Sequence, residues 1–225
     1  MSSSGHTGEP ATRIVLRPVA TPLPLGFLAL ALATTVFSAL QLGWIPPEQG
    51  RVAAITAMAA TVPLQLLASV MGFLARDPVA ATGMGILAGT WAVVGLTTYT
   101  SPPGSTSAGL GVLLVVSGIA MFVPAISGLA KLVAAAVMGT AGLRFVVTGL
   151  YQFEASPTWQ SVAGWVGLAL AVLGLYAALA LELEGSHRRT VLPAGRRGPA
   201  ASAVRGEGPM APAELASEPG VRPQL

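Results

Sequence analysis

From Leu25 to Trp44 the chain reads "LGFLALALATTVFSALQLGW", without a single charged residue. About 20 consecutive apolar residues are needed to cross the hydrocarbon core of a bilayer. The apolar residues here fill every face of a helix, which marks a helix with no water-facing side. Working outward, 53% of the chain is hydrophobic and only 9% is charged, where a soluble domain carries roughly a quarter charged residues. Five further runs of the same kind follow: Val52 to Ala75, stopped by "RDP"; Val79 to Thr98, running into "TSPPGSTSAG"; Leu110 to Ser127; Leu132 to Tyr151; and Thr158 to Leu183, after "FEASP". Barrel strands would alternate polar and apolar residues in segments of about 10, and these do not. The expected fold is an all-α polytopic membrane protein with six transmembrane helices.

Basic residues set the orientation. Arg13, Arg17, Arg76, Lys131, Arg188 and Arg189 fall on one side of the predicted bundle, and only Arg51, beside Glu48, falls on the other. The positive side faces the cytoplasm, so both termini are expected inside a cell (inner or plasma) membrane. Trp44, Tyr99, Tyr151 and Trp159 cluster at the predicted outer boundary as an interfacial belt. The first span is too long for a signal-peptide core and leads into a full bundle, so it reads as a retained helix. Residues 1–20 and 196–225 are rich in Gly, Pro, Ser and Ala and read as disordered cytoplasmic tails flanking a transporter domain over 21–195. Within that domain "RTVLPAG" (Arg189 to Gly195) has more apolar character than its surroundings.

Several chemistries are excluded. Cysteine is absent, and the two histidines, His6 and His187, lie in the end segments, so no metal site or cofactor is expected. No Ser/His/Asp set, carboxylate pair or phosphate loop is present in the spans, and a Ser or Thr nucleophile would lack a base. An enzyme is not expected. The formal net charge of +3 comes mostly from the segment after Gly185, so it reports membrane orientation and not a nucleic-acid partner.

What remains is small, polar and sparse. Gly83, Gly85, Gly89, Gly111, Gly118, Gly139, Gly142, Gly149, Gly164, Gly167 and Gly174 recur through the last four spans. They permit close helix packing or line a narrow conduit. Arg144 is the one strongly charged residue deep in a span, with Thr140 and Thr148 four residues to either side and Gln152 a turn further on. A charge there faces a bundle interior or a water-filled cavity. It either draws an anion or is satisfied structurally. Gln65, two residues after Pro63, supplies an interhelical hydrogen bond or a polar point on a path; Pro63 would free a carbonyl for it or a neighbour.

Three signatures carry a resemblance. "TPLPLGF…ATT" (Thr21 onward) matches Asn-Pro-x-Pro-Leu-Gly-Leu at Pro22, Pro24, Leu25 and Gly26. "QLLA" from Gln65, with Trp91 on the next span, matches a Gln-x-x-Ala and Trp pair. "RTVLPAG" matches an ending just after the sixth helix. In this order, over residues 21–195, the chain resembles the acetate uptake transporter family, which includes bacterial succinate–acetate permeases and fungal acetate permeases. The resemblance implies uptake of acetate or a similar small monocarboxylate, proton-coupled or channel-like, through a homo-oligomer, a hexamer, with one conduit per protomer in the lipid bilayer. It assigns Thr21, Pro22, Pro24, Leu25 and Gly26 to the path. It places an apolar constriction at Leu30, Leu87 and Leu143, the last by a one-residue gap set near Lys131. Gly72 stands where an acidic residue is common, and Arg144 where an uncharged one is expected.

The prolines then predict an extended approach that turns sharply into the first helix, because proline suits a first turn and disfavours helix at the residue before it. Thr21 would cap that helix, and its positive end would face the cytoplasmic mouth, where anions are favoured. Two alternatives stay open: a channel for small neutral solutes such as urea or short amides, and a non-transporting membrane protein whose tail recruits a partner.

Overall fold

The structure, a computed structural model, describes residues 20–187 and 189–198. Arg13, Arg17, Arg188 and both expected tails, save residues 20 and 196–198, lie outside the described residues. Six helices are long and apolar enough to cross a membrane: α1 (Leu23–Gln41), α2 (Pro47–Leu74), α3 (Val79–Thr100), α4 (Ala108–Ser127), α5 (Leu132–Glu154) and α6 (Pro157–His187). The chain is a multi-pass helical membrane protein. Short connections make consecutive helices antiparallel, so the bundle begins and ends on one side. Each helix packs on its neighbours in sequence, and α1 against α6 closes the ring. Leu28, Leu32, Val70 and Phe73 lie exposed on its outer faces, which suits hydrocarbon surroundings.

Proline shapes the helices where it falls. Pro63 has no N–H to give, and its ring crowds the carbonyl four residues back, so α2 widens into a π segment at Thr56–Thr61 just before it. Pro124 acts likewise on α4, which breaks at Met121 between Ala108–Ala120 and Phe122–Ser127. At α1 the expectation fails. Pro22 is itself in the helical region (φ −81°, ψ −10°), and the helix begins at Leu23 with no side-chain cap. Thr21 therefore does not cap, and no extended turn precedes Pro24. Pro24 sits in the first turn, where a missing N–H costs nothing, and the amide of Gly26 donates to the Pro22 carbonyl at 3.2 Å. Pro22, Leu23, Pro24 and Gly26 are all buried, with Leu25 half-buried, so this motif packs into the bundle.

The glycines between α4 and α5 act in packing. A Cβ on Gly118 would lie 2.7 Å from the Gly142 carbonyl oxygen, and one on Gly142 would lie 2.7 Å from that of Gly118. Gly111 and Gly149 repeat the pairing, at 3.1 and 2.9 Å. Such contact lets backbones touch where apolar burial gives no driving force.

The segment after α6 turns back. The amides of Leu132 and Val133, at the start of α5, donate to the carbonyls of Gly195 and Ala194, and that of Arg197 donates to Ala130. These amides lack partners inside their own helix, so the strap completes α5. Gly195 sits at φ +64°, and a Cβ there would lie 2.7 Å from that of Leu132, which reserves the position for glycine. Docking continues two residues past the expected boundary at 195, and Arg196 pairs with Glu184.

Candidate functional site

At the end of the bundle away from the termini, the helices part around a cavity of about 380 Å³. Arg51, Thr97, Thr98, Tyr151, Gln152 and Gln160 line it, and Phe37, Val94 and Leu114 lie at its apolar base. Gln152 accepts from the Ser107 amide at 2.8 Å, which ties α5 to the start of α4. Tyr99 and Tyr151, expected in the aromatic belt, both line the cavity; Trp44 stacks edge-on to Trp165 at 6.1 Å.

Beside this base lies Arg144, only 2% exposed. Its Nη1 donates to Ser38 Oγ at 2.8 Å and its Nη2 to Gln41 Oε1 at 3.4 Å, both on α1. Its Cζ lies 5.9 Å from the Trp91 ring centroid, at the outer limit of cation–π attraction. On α6, Gly167 makes the room: a Cβ there would overlap Nη1. Among the described residues Arg144 has no carboxylate partner, and the groups that meet its charge are neutral. A buried charge met in this way is costly. Gln41 both accepts from Arg144 and lines the cavity, so it stands between the guanidinium and the open space. Thr148 also lines the cavity, its hydroxyl donating to the Arg144 carbonyl at 2.7 Å, while Thr140 is half-buried one turn the other way.

Further in, the bundle is closed. Leu30 and Leu87 are fully buried in one core cluster with Phe27, Met84, Trp91, Met138 and Phe145. Leu143 does not join them; it is 47% exposed on the outside of the bundle. The inward stripe of α5 is Met138, Ala141 and Phe145, all buried. Leu143 lies two residues from both Ala141 and Phe145, which on a helix is the opposite face. The gap assumed near Lys131 put the register wrong. Trp91 packs between Phe37 (5.3 Å) and Phe145 (6.0 Å, edge-on).

Gln65 is fully buried, but neither amide atom has a partner in the protein, so it does not take up a carbonyl freed by Pro63. The hydroxyl that bridges helices there is that of Thr61, donating to the Ala29 carbonyl at 2.8 Å. Ser38, Gln41 and Gly167 were not singled out from the sequence. The first two were legible as a polar pair three residues apart at the end of an apolar span; Gly167 was one glycine among many.

Six spanning-length helices, closed into a ring by α1 on α6, give this chain the fold of a multi-pass helical membrane protein. It is similar to a solved structure described as that of the bacterial acetate channel SatP, with a TM-score of 0.69 at 20% sequence identity, covering 78% of this chain and 99% of that chain. Identity at that level speaks for the fold. No family model and no curated protein matches the sequence.

Proposed function

We propose that this protein conducts acetate or a similar small monocarboxylate across the cell membrane, as a non-enzymatic channel or transporter working in a homo-oligomer. One observation carries the reading: a buried guanidinium with no carboxylate partner among the described residues, set behind a cavity whose Gln41 it already contacts. A carboxylate is ionised at neutral pH. It cannot leave water for an apolar bundle unless something replaces its hydration. Arg is always charged and is matched to carboxylates. An anion arriving in the cavity would exchange with Gln41 as the acceptor for Nη2, which the 3.4 Å separation leaves only weakly engaged. The fold shared with an acetate channel supports the same reading, as do the three sequence signatures. The hexamer and the cytoplasmic termini follow from the resemblance and from the basic residues.

Uptake of labelled acetate into vesicles of purified protein, with and without a pH gradient, tests substrate and coupling together. Arg144→Gln keeps a donor and loses the charge. It is expected to reduce uptake at pH 7 and to reduce it less near pH 5, where more of the acid is neutral; Arg144→Lys retains part of the rate. Loss of protein from the membrane with transport per molecule unchanged would assign Arg144 to folding alone.

A channel for small neutral solutes is the second reading, favoured by the uncharged polar groups at the buried centre, Thr34, Gln65 and Trp91. Uptake of labelled urea beside acetate separates the two. The tail-recruitment reading is tested by a deletion starting at residue 199, since one starting at 196 would also remove the partner of Glu184.

A further inference from the structure

A methyl group added to each of three glycines on α6 would meet something different. On Gly164 a Cβ would lie 2.6 Å from Leu42 Cγ, just past the end of α1. On Gly174 it would lie 3.4 Å from the Phe27 carbonyl oxygen, an ordinary contact. These two belong to the seam between α6 and α1. Gly167 does not. Its three nearest neighbours are Nη1 and Cζ of Arg144, from α5, and the hydroxyl oxygen of Ser38. At Gly118 and Gly142 the nearest atom is a backbone carbonyl oxygen, the mark of helices packed closely. The room left at Gly167 is filled by a guanidinium.

Ser38 supplies a second wall of this slot. A hydroxyl has one proton to give, and that of Ser38 goes to the Thr34 carbonyl at 2.7 Å. Its oxygen is left as an acceptor, and it takes Nη1 of Arg144 at 2.8 Å. The Trp91 ring lies 5.9 Å from Cζ. Nη2 leans the other way, towards Gln41 at the edge of the cavity. The slot opposes a strong tendency. Arginine in apolar surroundings extends its charged head to water, and the cavity offers an open space with Glu48 on its lining. A guanidinium released into that space would be screened by solvent and would fill volume a solute needs. Kept in the slot, it acts from surroundings of low dielectric, where a charge is felt more strongly.

We propose that Gly167 and Ser38 are positioning residues, which hold the Arg144 guanidinium beside the cavity base so that its Nη2 edge is presented to an incoming carboxylate. This inference rests on the monocarboxylate reading above. Neither residue lines the cavity, so both act through Arg144 and not on the solute. Gly167 gives the head group its place, and Ser38 sets which edge turns inward. The charge then stands at a fixed depth, from α5, between α1 and α6.

The test makes Gly167→Ala and Ser38→Ala in the full chain, each alone and combined with Arg144→Gln. KM and maximal rate of labelled acetate uptake into vesicles are read at pH 7 and pH 5, beside membrane abundance and melting temperature. Gly167→Ala drives the guanidinium from the slot, and KM at pH 7 is expected to rise about tenfold, the order of one hydrogen bond to a charged group. Ser38→Ala adds no bulk and removes one acceptor, so a rise of about threefold is expected. Both effects are expected to shrink at pH 5, where more of the acid is neutral. With Arg144→Gln there is no guanidinium to position, so neither change is expected to raise KM further. Effects that multiply with that of Arg144→Gln, or that are equal at the two pH values, would give both residues to helix packing and overturn the proposal. Wild-type KM in both single variants would overturn it too. Should Gly167→Ala not reach the membrane, Ser38→Ala decides by the same criteria. If the wild-type chain carries urea and not acetate, the monocarboxylate reading fails and the positioning role falls with it. If acetate uptake is robust and drops in Arg144→Gln but in neither of the other variants, the slot alone fails.

Discussion

Where the chain enters and leaves the bundle, charges are tied down. Asp77 pairs with Lys131 at 2.6 Å and also accepts from the amides of Val79 and Ala80, both at 3.2 Å, at the start of α3. Glu184, only 6% exposed, takes both Arg196 and the Thr190 hydroxyl, and the strap's backbone completes α5. At the opposite end, Glu48 and Arg51 stand with uncharged polar side chains and tyrosines around an open cavity, and the nearest buried charge, Arg144, has no ionic partner among the described residues. The difference teaches what each end is for. Paired charges and backbone bonds fix helix ends relative to one another. Polar groups turned to an open space, backed by a buried cation, are the arrangement on which the proposed reception of a solute rests.

The comparison is sharpest at the apolar layer between the two ends. Leu87→Ala opens a space at a fully buried position, at a cost of about 2–5 kcal/mol by core precedents. A hydrophobic constriction closes by excluding water, so the same change should wet the path. Melting temperature should fall while flux rises, or a larger acid such as succinate is admitted. Unchanged rate and selectivity in both Leu87→Ala and Leu30→Ala would show that this layer does not separate the ends.

Next in size comes the latch. Glu184→Ala strands Arg196, itself 17% exposed, and removes about 3 kcal/mol by the values for broken buried pairs. The expected result is a lower melting temperature and faster proteolysis near residues 196–198, with acetate transport per folded molecule close to wild type. A selective loss of transport at normal stability would make this end part of the conduction machinery. The smallest effect is expected at the cavity: Thr148→Val removes a hydroxyl bonded within its own helix and should shift stability by no more than about 0.5 kcal/mol. It should weaken acetate uptake a few-fold, because the cavity base loses a polar group beside Arg144. No change in uptake there would remove Thr148 from the path.

Hydrophobic run length made the six helices and their breaks legible, because a bilayer demands about 20 apolar residues and every charge or Pro/Gly cluster interrupts them. The buried Arg144 was legible for the same reason: a lone charge in such a run stands out whatever it contacts. The "RTVLPAG" strap announced itself by apolar residues in a polar segment, though not the ion pair just beyond it. Side-chain direction was another matter. Leu143 was assigned to the constriction by a gap whose placement no residue fixed, and one residue of slip rotates a helical side chain by about 100°. The N-terminal prolines were read as forcing an extended approach, but Leu23, the residue before Pro24, is already helical, so burial in the bundle overrides the local preference there.

By itself, then, the sequence determined the class of molecule, the number of crossings and the rarity of charge within them, since these depend only on composition along the chain. The tertiary structure decided which residues meet: Arg144 with Ser38, Gln41 and Gly167 from two other helices, while among the described residues Thr34 Oγ1, both Gln65 amide atoms and Trp91 Nε1 are buried without a hydrogen-bond partner. In lipid the apolar faces are nearly interchangeable, so small residues and steric fit, and not hydrophobicity, set how helices turn towards one another.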